Sequence, residues 1–334
     1  MQKPSALHSI KSGLAVLFAA AAIAALPSVA SAQAYPSKPV RVIVPFAGGG
    51  GTPDSVGRIM AQALGTQMGQ TFLVDNRPGA NGVIGGELLA KAPADGYTLM
   101  IVSTSFAINP SVYKKLPYNA LTDFTPVTNI CAVEGLFLTI NASLPPKNLQ
   151  EFISYVKNPA NRVSYGTPGV GNSLHLATEL FNNRAGTKMV HIPYKGSGPA
   201  MAAVIAGEIQ AMMITPPQAI QGVKAGQIRA LGYTGKARAS YMPDVPTMAE
   251  AGLKGMEMDG GWFAMFAPAN LPAPIAAQLH AEVRKALASQ FVRERFDAMG
   301  VTGVGDSPAD FRRFVEAEIK AYSDMVRLAG VQPE

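Results

Sequence analysis

The sequence predicts an α/β protein of two lobes with a ligand cleft between them, and three observations carry that expectation. Apolar strands alternate with helices along nearly the whole chain, the rhythm of α/β layers around largely parallel sheets. Two glycine-rich segments of the same plan, each a strand running into a helix start, fall in different parts of the chain. Beyond a leader, about 300 residues remain, which at roughly 150 per domain favours two domains with ample core.

Taken in order, the N-terminus is basic at Lys3 and Lys11, apolar over 13–26, and ends in Ala30-Ser31-Ala32, small residues suited to cleavage. This is the pattern of an export signal over residues 1–32, so the mature chain is expected to start near Gln33 in the periplasm. A membrane span needs about 20 apolar residues, and no comparable stretch follows. No cysteine lies in the leader to carry a lipid. The chain is 48% hydrophobic and 15% charged, as a globular protein is. Its formal charge of +6 includes Lys3 and Lys11, leaving 6 − 2 = +4 for the mature chain. Lys and Arg are scattered rather than clustered, which argues against a nucleic-acid groove and leaves room for a small anion. The single Cys131 excludes an internal disulfide and lies in the apolar-flanked stretch 128–133, as a buried structural thiol would.

Strands are predicted at 40–46, 71–75 and 98–103, with helices at about 53–67 and 83–92 between them. The stretch 40–58, VRVIVPFAGGGGTPDSVGR, organises this part. A strand feeding a helix through glycines leaves the first helical N–H groups approachable by a ligand. Thr52 stands where an N-cap should, Pro53 at the first helical position, and Asp54 in the first turn. Two readings stay open: an anion site, or a sharp turn in which Asp54 only steadies the helix. Arg58, a full turn into the helix, reads as an ion-pair partner.

The rhythm then repeats, with a helix at 149–156, a strand at 162–165, the loop 166–173, and a helix beginning at Ser173. A strand at 188–192, the loop 193–196, a small-residue helix at 197–206 and strands at 209–214 and 228–233 follow. The C-terminal part opens with the apolar run 262–266 and continues as helices 273–288, 290–299 and 308–328, which must pack back onto the first lobe. The chain therefore crosses twice, near 128–132 and 257–262. Lobe I spans 33–131 plus 259–334, and lobe II spans 132–258. Two crossings make a hinge, and a hinge between two glycine loops makes a clamp.

Enzymatic readings fare poorly. Ser173 and His175, a nucleophile and base for a secreted α/β hydrolase, stand two apart on a predicted helix and so face different ways. Neither serine-containing loop fits G-x-S-x-G, and the glycine run fits neither a P-loop nor G-x-G-x-x-G. His175, His191 and His280 lack zinc-ligand spacing, and no metal or other cofactor is expected.

The residues also carry a family resemblance. Tyr35-Pro36-Ser37-Lys38-Pro39, the Pro45-Phe46 glycine loop ending in Asp54, Asn76-Arg77-Pro78-Gly79-Ala80 and Ala92-Pro93-Ala94-Asp95-Gly96-Tyr97 belong to it. So do Ser173-Leu174-His175, His191-Ile192-Pro193-Tyr194-Lys195-Gly196 and Pro243-Asp244-Val245-Pro246-Thr247. In these the chain resembles Bug-type periplasmic substrate-binding proteins of the tripartite tricarboxylate transporter family. The resemblance implies a type II-like periplasmic binding-protein fold and a monomer that delivers a small carboxylate to a membrane permease. It places the ligand against Phe46, Ala47, Gly48, Gly49, Gly50, Gly51, Thr52 and Asp54 of the first loop. Facing these it sets Ser103, Thr104, Ser105 and Phe106 on the first-lobe rim, and Thr167, Gly171, Asn172, Ser173, His175 and Thr215 from the second lobe. Two departures stand out: one extra glycine before Asp54, and an apolar or hydroxylic stretch at 214–217 where the family pattern has Asp or Asn. With no carboxylate there to pair an ammonium, a dicarboxylate or aromatic carboxylate without an amino group is expected, its body covered by Phe46, Phe106 and Trp262. A receptor that presents its ligand to a signalling partner would use the same cleft.

Overall fold

The computed structural model describes residues 35–49 and 51–333; the leader expected at 1–32 and the glycine at position 50 lie outside them. Two mixed sheets carry the fold. The first comprises β1 (Val40–Val44), β2 (Phe72–Asn76), β3 (Thr98–Ser103), β4 (Phe124–Val133), β10 (Gly261–Pro268) and β11 (Thr302–Gly303), in the order β11-β4-β10-β3-β1-β2. The second comprises β5 (Phe137–Asn141), β6 (Ser164–Thr167), β7 (Val190–Pro193), β8 (Ala211–Ile214) and β9 (Ile228–Tyr233), in the order β7-β6-β8-β5-β9.

The strand directions correct the expectation of largely parallel sheets, and the reason fixes the site. β1 runs parallel to β2 and β3, and β6 parallel to β7 and β8, but β10 is antiparallel to β3 and β4, and β5 to β8 and β9. The chain leaves the first sheet after Val133, enters the second at Phe137, and returns between Tyr233 and Gly261. A strand arriving from the other lobe must run against those that point toward it. By the same logic β1 and β3 end facing the second lobe, while β6, β7 and β8 end facing the first. Ligands of α/β proteins sit at such carboxyl ends of strands.

Helices α1 (Thr52–Met68), α2 (Val83–Ala90), α3 (Ser105–Val112), α4 (Leu149–Lys157), α5 (Ser173–Ala185), α6 (Ser197–Ala206) and α7 (Pro216–Lys224) follow strands or loops through both lobes. α8 (Ala273–Ala288), α9 (Gln290–Met299) and α10 (Pro308–Leu328) close the chain. No described helix is long and apolar enough to cross a membrane. α1 begins one residue before its expected start, with Gly51 at the N-cap and no side chain capping it. Thr52 is thereby freed for another bond.

The first-lobe core is aromatic and includes α10. Phe311 is fully buried, its ring centroid 5.2 Å from that of Phe266 and 6.0 Å from that of Trp262. Ser307 caps α10 by accepting from Asp310 N at 3.1 Å. Cys131 is completely buried in β4, and burial pushes its thiol well above the ordinary range. Removing a large core ring costs about 3–5 kcal/mol through lost transfer energy and the cavity left behind. Phe311→Ala should therefore lower unfolding free energy by about that amount in urea titrations. Leu328→Ala on the same helix, 68% exposed, should change it by no more than about 0.5 kcal/mol.

Candidate functional site

Where the ends of β1, β3, β6, β7 and β8 converge, the lobes bound a narrow pocket lined by Phe46, Ala47, Gly51, Thr52, Pro53, Ser103, Thr104, Pro168, Asn172, Ser173, Leu174, Ser197, Thr215, Gly260, Trp262 and Phe263. None of these described lining residues is charged. The pocket instead gathers the starts of five helices. Gly51, Thr52 and Pro53 open α1, Thr104 precedes α3, Asn172 to Leu174 open α5, Ser197 opens α6, and Thr215 precedes α7. First-turn N–H groups lack intrahelical partners, and the aligned peptide dipoles place partial positive charge there.

Neutral hydrogen bonds join the lobes around the pocket. The Thr52 and Thr215 hydroxyls stand 2.6 Å apart, and Ala47 N donates to Lys195 O at 3.3 Å. Asn172 Nδ2 donates to Asn81 Oδ1 at 3.1 Å, and Asn81 Nδ2 in turn to Asn109 Oδ1 at 2.9 Å. At the hinge, Trp262 N donates to Thr104 Oγ1 at 2.8 Å while Thr104 N donates to Trp262 O at 3.0 Å. Trp262 lines the pocket, and its indole Nε1 donates to Glu318 Oε2 at 2.8 Å. Burial raises the Glu318 carboxyl above its usual range, although the indole bond works against that.

Of the residues expected to touch a ligand, Phe46, Ala47, Gly51, Thr52, Ser103, Thr104, Asn172, Ser173 and Thr215 line this pocket. The others lie elsewhere, each for a physical reason. Asp54 turns away: its carboxylate accepts from Gly49 N at 3.0 Å, Arg58 Nε at 2.9 Å and Asn76 Nδ2 at 2.9 Å. Burial opposes its charge, but the bonds from Arg58, Gly49 and Asn76 prevail and hold the carboxyl below the ordinary range. Gly49, at φ +82°, serves that carboxylate, and Gly48 beside it faces solvent with Asn76. Gly50 is outside the described residues. Phe106 is core, stacked among Tyr118, Phe124 and Phe266. Ser105 is fully buried, its hydroxyl 3.0 Å from that of Ser103.

Thr167, Gly171 and His175 form a layer behind the second-lobe loop. Gly171, at φ +70°, donates its N–H to His175 Nδ1 at 3.1 Å, which puts the ring proton on Nε2 and occupies the lone pair a catalytic base would need. His175 and His191 stack at 4.0 Å, and Thr167 Oγ1 lies 2.6 Å from His191 Nε2. Burial, then the neighbouring His191, pushes His175 down to about 3, and burial pushes His191 down to about 4, so both are neutral near pH 7.

Sequence reasoning passed over Ser197, Pro53, Pro168, Leu174, Gly260 and Phe263 as ligand contacts. Ser197 was within reach, since the segment His191-Ile192-Pro193-Tyr194-Lys195-Gly196 is a third strand-to-helix junction. The glycine-poor composition of that junction hid it.

A model of the family described as tripartite tricarboxylate transporter family receptor matches residues 56–331. Protein BugT of Bordetella pertussis is 37% identical over 321 residues, 96% of this chain and 98% of that one. Among solved structures, the periplasmic binding protein BugD superposes with a TM-score of 0.85 at 31% identity, covering 90% of this chain and all of the other. The R. palustris protein Rpa4515, solved with adipate, gives a TM-score of 0.85 at 34% identity with the same coverage. The two-lobed α/β arrangement is thus that of the periplasmic binding proteins.

The stacked histidines make stability depend on pH with a definite sign. Their folded values are below the unfolded value of about 6.5, so between them the unfolded state binds more protons. The stability they allow is fully present above about pH 6.5 and is lost as pH falls toward 4, at roughly 1.4 kcal/mol per pH unit for each histidine. His191→Gln, which removes one titrating ring and keeps a partner for Thr167, should flatten that slope by about one histidine's share. Urea titrations at intervals from pH 7 to pH 4 on both proteins measure the difference; identical slopes would count against a buried neutral pair.

Proposed function

The chain belongs to the tripartite tricarboxylate transporter receptor family, whose members are binding proteins and not enzymes. From that premise we propose that it is a periplasmic receptor for a small dicarboxylate or aromatic carboxylate without an amino group, which it passes to the permease of its transport system. The observation that carries this reading is the uncharged pocket lined by five helix starts from both lobes. Carboxylate oxygens accept from hydroxyls and first-turn N–H groups there, and charge-assisted bonds of this kind contribute roughly 1.5–3 kcal/mol each. A few suffice for micromolar affinity, about −8 kcal/mol, after ordering costs.

The same lining argues against amino acids. A ligand ammonium would be desolvated with no carboxylate among the described lining residues, and Asp54 beside them is committed to Arg58 and Asn76. Adipate, the ligand of the related Rpa4515 structure, belongs to the favoured class. Apolar contact from Phe46, Phe263 and Trp262 gives the carbon body its cover.

Calorimetry on the protein with succinate, adipate and terephthalate, each beside its monoamide, tests this. At least one diacid should bind, and its monoamide should bind at least about tenfold more weakly, or about 1.4 kcal/mol, having lost a charge-assisted acceptor. Equal affinity for acid and amide, or tighter binding of aspartate or glutamate, would overturn it.

A further inference from the structure

A second cavity adjoins the first and shares two of its walls. It holds about 250 Å3, is partly open to solvent, and is bounded by Pro45, Phe46, the turn Gly79–Gly82, Tyr113, the loop 168–170 and the segment Pro193-Tyr194-Lys195. Phe46 and Pro168 line both spaces, so a phenyl ring from the first lobe and a pyrrolidine from the second form the partition. The sheet orders say where this chamber lies. The hinge strands β4, β10, β5 and β9 sit together at one side, whereas β2 and β7, whose following loops line the chamber, are the edge strands at the other. The outer chamber is therefore the mouth of the cleft, and the inner pocket is its hinge end.

The two chambers differ in chemistry. The inner one offers hydroxyls and helix starts without a charge. The outer one is walled by three prolines and by the rings of Phe46, Tyr113 and Tyr194, with Lys195 the only charged residue among those described around it. Asn76 Nδ2 holds the Phe46 carbonyl at 3.0 Å and Ala47 N bonds to Lys195 O, which fixes the backbone of the partition. An apolar passage ending in one flexible ammonium suits a carbon chain that ends in an anion.

We propose that the outer chamber is a second ligand subsite, taking the distal half of an elongated dicarboxylate whose first carboxylate sits at the helix starts. The apolar middle of the ligand passes Phe46 and Pro168, and the far carboxylate meets Lys195. This rests on the carboxylate reading of the inner pocket and adds to it a preference for length.

Calorimetry with succinate, adipate, suberate and sebacate on the wild type, Lys195→Met and Lys195→Arg separates the two ideas. Affinity in the wild type should hold or rise from adipate to one of the longer acids. Lys195→Met should weaken that longer acid at least about tenfold while leaving succinate within about twofold, and Lys195→Arg should restore it. Succinate binding with no Lys195 dependence of any longer acid would overturn the outer subsite alone. An equal loss for succinate and the longer acids would overturn it too, assigning Lys195 to closure of the lobes. Failure of every diacid to bind would overturn both readings.

Discussion

Backbone N–H groups at the start of a helix need acceptors, and this structure aims five such starts into one cleft without supplying a side-chain anion to answer them. Much of the surrounding architecture serves to keep charge away. Asp54, in the first turn of α1 and the natural candidate to neutralise it, is drawn to the far side by Arg58, Gly49 and Asn76. The histidines behind the second loop are stacked and neutral, and the Glu318 carboxylate is bonded to the indole N–H of Trp262. The cleft is left with a diffuse positive potential made of dipoles, which selects ligands by where their oxygens fall.

Because the bonds between the lobes are neutral, each contributes roughly 0.5–1.5 kcal/mol, small enough for closure to reverse. The hinge, by contrast, is tied. Gly260 N donates to Val133 O at 2.7 Å and Met258 N to Thr234 O at 3.0 Å, so the crossing segments bond to each other. Thr104 locks the rim of the pocket to β10 in both directions.

Much of the fold was legible because its periodic elements are long or sharply bounded. Ser197, Ala273 and Pro308 each open a helix where composition changes abruptly, and the strand over 98–103 is a plain apolar run. α3 escaped because Ser105–Val112 is apolar nearly all round, short, and holds Pro110; α7 escaped because it opens on two prolines, which read as a break but suit a first turn. The site was legible at its glycines and hydroxyls and obscure at its aromatics. Phe46 and Phe106 look alike in sequence, yet one partitions the cleft and the other fills the core with Tyr118, Phe124 and Phe266. Asp54 misled for a related reason: its partner Asn76 is supplied by another strand, β2.

Trp262 is the chain's sole tryptophan, and it stands in the pocket wall with its N–H committed to Glu318 and its ring edge-on to Phe311 and Phe314. The molecule consequently carries one indole at one address, beside ten tyrosines. Excited at wavelengths that only the indole absorbs, its emission averages over no other indole, so a change in wavelength, intensity or quenching during a titration is assignable to that wall, without a label and without altering the sequence.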